Sequence, residues 1–504
     1  MKNRLIAILL ALCAALPAFT ACAEENPETN QKDTAADTAE VAAAETEEET
    51  KHFLEDIGAH NFNGENFTVL CRTILDTDTF NEVDIETNGG DVVDDAIYKR
   101  NQELNDRYNV VIKAERTDGN WPNNANFKNV LKNSITAGDG AFDLVLGYQA
   151  YLNSIEMMGY FYNFRDIDGI NLEADYYYQD IIKESTLNNK LYHLTGDFTY
   201  SLWPSMLVYF FNKTMANSYN IENLYDLVRS GEWTVDKYIE LVSGVYVDEN
   251  GNGNKDEADI FGVALDYGNV ADAYYSSFDI DICVRGEDNI PAINIDIEKL
   301  DSVITKMQEL YHNNEGAYVF KMMSNMTTNP LADIFSAGRA LFYPERLKNA
   351  IDFRGIDVEF GILPYPKWDV TQEKYLSQAW DGYSVMVVPK DARNIQKTAV
   401  MVEALNASSQ QYVIPAFYDK TLKVKVTRDE DSAEMLDTIR EGISFQFGYF
   451  FSGPINSGCD PWRMRLILES NGKIASTFKG LQKVLGRNVQ SIVDFYYGEE
   501  PAAE

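Results

Sequence analysis

The chain has 504 residues, 45% of them hydrophobic and 12% aromatic, with a formal net charge of −36. That length exceeds one hydrophobic core, and the composition supports a globular body of two or more domains. The charge argues against nucleic-acid binding and against an anionic guest gathered by the overall field, while a neutral guest fits and a cationic one is compatible.

Lys2 and Arg4 precede an apolar run from Leu5 to Phe19, the layout of a secretory leader over residues 1–21 and too short for a comfortable membrane span. Phe19-Thr20-Ala21-Cys22 resembles the lipobox of bacterial lipoproteins, with Phe where Leu is usual. The resemblance implies cleavage before Cys22 and acylation of that cysteine. The alternative is an ordinary secreted protein cut after an A-x-A-like site. Both place the chain outside the cytoplasmic membrane, lipid-anchored on its outer face in the first case. Residues 22–55 form an Ala/Thr/Glu-rich tether, with Glu45, Glu47, Glu48 and Glu49, that holds too few large apolar side chains to fold.

The body then alternates short apolar runs with helical patterns, as in an α/β protein. Phe67 to Leu70 reads as a strand. Asp91 is placed as an N-cap, with Val93, Ile97, Leu104 and Tyr108 at helical spacing behind it. Val110 to Ile112 and Phe142 to Leu146 read as further strands, the latter apolar enough to be buried on both faces. Met206 to Phe211 is another apolar run. Thr234 caps a helix whose apolar face is Val235, Tyr238, Ile239 and Val242. Strands follow at Gly338 to Tyr343, Val358 to Leu363 and Ser384 to Val388. Ile474, Phe478, Leu481, Leu485, Ile492 and Tyr496 mark a long final helix.

Four stretches in this order resemble the extracellular solute-binding proteins of ABC importers, namely the carbohydrate-binding family 1 lipoproteins. They are Tyr209-Phe210-Phe211-Asn212-Lys213, Gly231-Glu232-Trp233-Thr234-Val235-Asp236, Ala337-Gly338-Arg339-Ala340-Leu341 and Gly361-Ile362-Leu363-Pro364-Tyr365-Pro366. The resemblance implies a two-lobed, periplasmic-binding-protein-like (type II) fold with the ligand cleft between lobes. Lobe 1 would span 56–205 and 384–435, and lobe 2 would span 206–383 and 436–504, with a last crossing near 430–450. It further implies a monomer that captures an oligosaccharide or other sugar by hinge closure. That monomer would hand its sugar to an ABC permease without covalent chemistry. A peptide or polyamine carrier, a sensor input and a surface glycoside hydrolase with paired carboxylates remain alternatives. No G-x-S-x-G, H-E-x-x-H or Walker-like loop is present.

A sugar site needs aromatic plates and directional polar groups. Candidates near strand ends and crossings are Trp121, Tyr148, Gln149, Trp203, Tyr343, Arg346, Trp380, Asp381 and Tyr383. Trp233 reads as a helix-start anchor instead. Residues 248–259 carry oxygen side chains at EF-hand spacing, with Gly253 at the sixth position and Asp259 where Glu is usual. Asp248, Asn250, Asn252, Asn254, Asp256 and Asp259 are therefore the expected ligands of a structural calcium ion. Cys71, Cys283 and Cys459 have no metal spacing and leave open one bridge with a free thiol or three buried thiols.

Overall fold

A computed structural model describes residues 52–74, 80–86, 89–120, 123–321, 330–426, 429–455 and 467–498. The expectations for Cys22, Trp121 and Cys459 fall outside these residues. The chain first lays down β1 (Glu65–Arg72), β2 (Val110–Thr117) and β3 (Leu144–Tyr148). It then crosses to build β4 (Leu207–Asn212), β5 (Tyr246–Val247) and β6 (Ile260–Asp266). A hairpin of β7 (Cys283–Arg285) and β8 (Pro291–Ile293) follows, then β9 (Ala317–Phe320), β10 (Ala340–Arg346) and β11 (Phe360–Leu363). Finally β12 (Ser384–Val387) returns to the first sheet.

The first sheet has the order β12-β3-β1-β2, and the second β11-β4-β10-β6-β5 with β9 also on β6. In the first, β1, β2 and β3 are parallel, so Arg72, Thr117 and Tyr148 end on the same side. The antiparallel β12 begins there too, with Ser384 opposite Tyr148. In the second sheet Arg346, closing β10, lies opposite Leu207, which opens β4. The chain passes between these two sets of strand ends twice, before Leu207 and again between Leu363 and Ser384. Ligands of open α/β sheets sit beyond the carboxyl ends of their strands, so this seam is where a site is expected.

Local chemistry explains the elements. The Asp91 carboxylate accepts from the amides of Val93 and Asp94, and the Val92–Tyr108 helix buries Val93, Ala96, Ile97, Leu104 and Tyr108. Thr234 accepts from Lys237 N–H and starts the Val235–Ser243 helix. Trp233 is fully buried, and its indole N–H donates to Pro364 O at 2.9 Å. Its ring packs with Tyr209, Tyr238 and Phe342 at centroid distances of 5.6–6.1 Å. It is thus the anchor that the sequence indicates.

Three features differ from the sequence expectations. Leu54 is fully buried with the core of the first sheet, so order begins before residue 56. The third strand runs two residues further on than Phe142–Leu146, because Asp143 donates its amide to Thr68 O and leaves Leu144 and Val145 to pair with β1. The last crossing comes early. The Ile395–Ile414 helix packs on the Val92–Tyr108 helix and continues through widened turns over Pro415–Val426. By Asp429 the chain already ion-pairs with Lys213, and Ser432 accepts from Ile362 N–H of β11. Among the described residues no helix is long and apolar enough to cross a membrane.

Candidate functional site

A row of stacked side chains crosses the seam. Arg72, at the end of β1, lays its guanidinium over Tyr148 with 3.7 Å to the ring centroid. Tyr148 meets Trp380 edge-on at 5.9 Å. Arg346, at the end of β10, covers Trp380 at 4.5 Å. Two residues thus come from the ends of first-sheet strands, one from the end of a second-sheet strand, and Trp380 from the returning connection. Guanidinium–ring contacts of this kind are electrostatically favourable and become stronger as water is excluded. Glu345 accepts from Arg346 Nε at 3.2 Å. Trp380, Asp381, Glu345 and Arg346 are half-buried, whereas Tyr148 and Arg72 are buried.

Arg72 was not singled out from the sequence. Its signal is a cation that follows the apolar run Val69-Leu70-Cys71 at the end of the strand. Only 4% of it is exposed. Its Nη2 donates to Gly382 O at 2.9 Å and to Ser384 Oγ at 3.3 Å, while Nη1 is buried with no hydrogen-bond partner among the described residues. Arg72, Asn81, Glu82, Arg116 and Ser384 line one small cavity. Burial pushes the Glu82 carboxyl above the usual range, against hydrogen bonds from Ser201 and Ser384 and the charge of Arg72. Ser201 N–H donates to Glu82 Oε1 at 3.0 Å.

The other expected ligand residues lie deeper. Tyr343 is inside the second lobe, 5.6–6.2 Å from the rings of Phe210, Phe335 and Phe353. It sits in the middle of β10, three residues before Arg346, where Ala340 to Pro344 are all buried. Gln149 donates its amide to Phe450 O, as does Asn153 one helical turn on. Tyr383 is buried beside Phe445. Trp203 is buried between Tyr178 and Tyr418, under Arg440. The seam therefore keeps Tyr148, Trp380, Asp381 and Arg346 of the sequence candidates and adds Arg72.

A second polar cluster lies behind Tyr148. Gln149, Asn153 and Glu156 share one face of the Gln149–Glu156 helix, and all are buried. His193 Nδ1 is 2.5 Å from Glu156 Oε2, and the Tyr496 hydroxyl donates to Glu156 Oε1. Phe450 and Tyr496, from the last part of the chain, thus close over this helix. The Gly453 backbone approaches so closely that a Cβ there would lie 2.5 Å from Ala150 O. The hairpin of β7 and β8 reaches across in the same way. Arg285 donates to Lys183 O at 2.7 Å and pairs with Glu184 at 2.8 Å.

The 248–259 loop is tightly wound. Asp248 accepts from the amides of Asn252 and Gly253 at 3.2 and 2.9 Å. Gly251 and Gly253 take φ of 68° and 73°, which lets the backbone turn that sharply. Asn250 and Asn252 amides donate to the Asp256 carboxylate at 2.7–3.2 Å, and these bonds with the Ala258 amide hold its pKa below the ordinary value. Asp259 is fully buried and accepts from Glu249 and Asp256 N–H. Among the described residues no group of three or more His, Cys, Asp or Glu side chains is gathered as a metal set. An ion in this loop would draw on Asn and backbone oxygens besides Asp.

No protein-family model and no curated protein matches the sequence. Solved structures match it over most of its length. The sugar-binding protein MalE of Xanthomonas citri has a TM-score of 0.57 at 11% identity, covering 86% of this chain and 100% of that one. The galacto-N-biose/lacto-N-biose I-binding protein of a Bifidobacterium longum ABC transporter gives 0.55 at 14%, covering 87% and 99%. The GacH receptor of Streptomyces glaucescens, solved with acarbose, gives 0.52 at 12%, covering 87% and 100%. The fold is that of a two-lobed solute-binding protein. These neighbours are binding proteins rather than enzymes, and the two-lobed α/β architecture expected from the sequence holds.

Proposed function

We propose that the protein is the solute-capturing component of an ABC importer, binding a sugar or oligosaccharide in the seam between its lobes and releasing it to a membrane permease. The observation that carries this reading is the Arg72–Tyr148–Trp380–Arg346 row, an aromatic and hydrogen-bonding surface assembled from the facing strand ends of both sheets. Sugars present apolar C–H faces to rings and hydroxyls to polar groups, which is what Trp380, Asp381 and the two arginines provide. The three neighbours named above are sugar- or acarbose-binding proteins, and they support this guest class over a peptide or polyamine. Hinge closure brings the two halves of the row together, and no bond in the guest is made or broken.

The same reading puts the chain outside the cytoplasmic membrane, held as a monomer by acylated Cys22 through the 22–55 tether. A calcium ion in the 248–259 loop has a structural role: Asp248, Asn250, Asn252, Asp256 and Asp259 supply side-chain oxygens and Asn254 its carbonyl. The Asp and Asn side chains of this loop carry the oxygen ligands that suit a hard cation, and the two Asn amides that now donate to Asp256 would have to turn their oxygens inward.

A thermal-shift screen of mono- and oligosaccharides tests both parts, because a guest or ion bound only by the folded state raises Tm. The reading expects at least one glycan to raise Tm without being hydrolysed, and calcium to raise it further until a chelator is added. Turnover of the glycan, or silence across a broad panel, would overturn the carrier; an unchanged Tm on adding chelator would remove the calcium.

A further inference from the structure

We propose that the guest is an acidic carbohydrate whose carboxylate seats on Arg72. This rests on the carrier reading and narrows it. The guanidinium of Arg72 is buried, stacked on Tyr148 and held at Nη2 by Gly382 O and Ser384 Oγ. Its Nη1 donates to nothing among the described residues. No described carboxylate makes an ion pair with it: the ion pairs of this region join Arg116 to Asp84 and Arg346 to Glu345. Glu82 shares the cavity and feels the charge of Arg72, but it makes no ion pair with it, and its Oε1 is engaged by Ser201 N–H.

A buried cation without a carboxylate is costly, and so is a buried donor without an acceptor. A sugar hydroxyl would satisfy the donor and leave the charge. A uronate oxygen satisfies both, through a short charge-assisted hydrogen bond. Arg72 and Arg346 stand at the two ends of the row, one on Tyr148 and the other on Trp380. Arg346 already has Glu345 as its anionic neighbour. Arg72 is the arginine of the row without an ion-paired carboxylate among the described residues. The net charge of −36 does not oppose this, since exposed charges beyond about 8 Å are largely screened at physiological salt.

The test uses the mature chain and matched probes: galacturonate di- and trisaccharides, their methyl esters, and the neutral galactose counterparts, read by calorimetry and thermal shift. The expected result is binding of the free acids at least tenfold tighter than of either neutral set. Arg72→Met should lower acid affinity about 10- to 100-fold and erase most of the preference for the free acids over their methyl esters. Should Arg72→Met not fold, the acid-against-ester comparison on the unaltered protein decides alone. Esters or neutral sugars binding as tightly as acids would overturn the inference and leave the sugar carrier standing. Acids binding equally well to Arg72→Met would also overturn it. Silence from every probe in this set and from the broad panel would remove the carrier reading, and this inference with it.

Discussion

Asp197 offers a sharp test of how the seam is built. It lies just before the first crossing, buried, with the Tyr178 hydroxyl donating to its Oδ1 at 3.2 Å. Burial raises its carboxyl from 3.8 to about 7, against the Tyr178 hydrogen bond and the charge of Arg440, while Asp175 adds to the rise. Between those two values the folded protein keeps a proton that the unfolded chain has lost. Stability therefore falls as pH rises from about 4 to about 7, and the effect levels off above that. At about 1.4 kcal/mol per pH unit, the ceiling is about 4 kcal/mol. Asp197→Asn removes the ionisation and keeps an oxygen for Tyr178. Urea unfolding at half-unit steps from pH 4.5 to 8 should show the variant gaining on the parent through this window, by about 2–4 kcal/mol at the top. Other raised groups, such as Glu82 and Asp281, are common to both proteins and cancel in the difference. Parallel pH profiles would refute the argument.

Trp233→Phe leaves Pro364 O without its indole donor and opens space among Tyr209, Tyr238 and Phe342, so unfolding free energy should drop by about 2–4 kcal/mol with guest affinity unchanged. Altered affinity with stability intact would show that Trp233 touches the guest. Trp380→Ala removes the ring against which a sugar's C–H face would lie, a contact worth about 1–2.5 kcal/mol. Titration should then show roughly 5- to 70-fold weaker glycan binding with little loss of Tm; unchanged affinity would take Trp380 out of the site. For Arg285 and Glu184, only 11% and 19% exposed at the side chain, a double-mutant cycle to Ala should return a coupling of about 1–2 kcal/mol. A value near zero would make that contact incidental.

The elements could be read from the sequence where one physical signal acted alone. Asp91 and Thr234 have side chains that cap, followed by apolar residues at helical spacing, and both start helices. The Met206–Phe211 run is apolar throughout because β4 lies between β10 and β11. That same uniform burial hides direction. Tyr343 and Tyr148 both sit in wholly buried stretches, yet one faces a core and the other a seam, and only pairing partners distant in sequence decide which. The surroundings of Arg72 and Gln149 are hidden in the sequence for a related reason. What each touches, Gly382 and Phe450, lies about 300 residues away. The early crossing after Pro415 had no local signature, since a helix that widens its turns keeps a helical pattern.

Arg285 holds Lys183 O and lies within 3.3 Å of Thr186 O, carbonyls at the end of the Gln179–Ser185 helix. A positive group at that pole complements the helix dipole. Because the arginine belongs to a hairpin that follows the first crossing, any swing that separates the two sides at this point must strip a helix of its terminal countercharge and leave Glu184 with Lys183 as its remaining ion-pair partner. On the carrier reading proposed above, that cost opposes opening before any guest arrives, and a guest has only to supply the remainder.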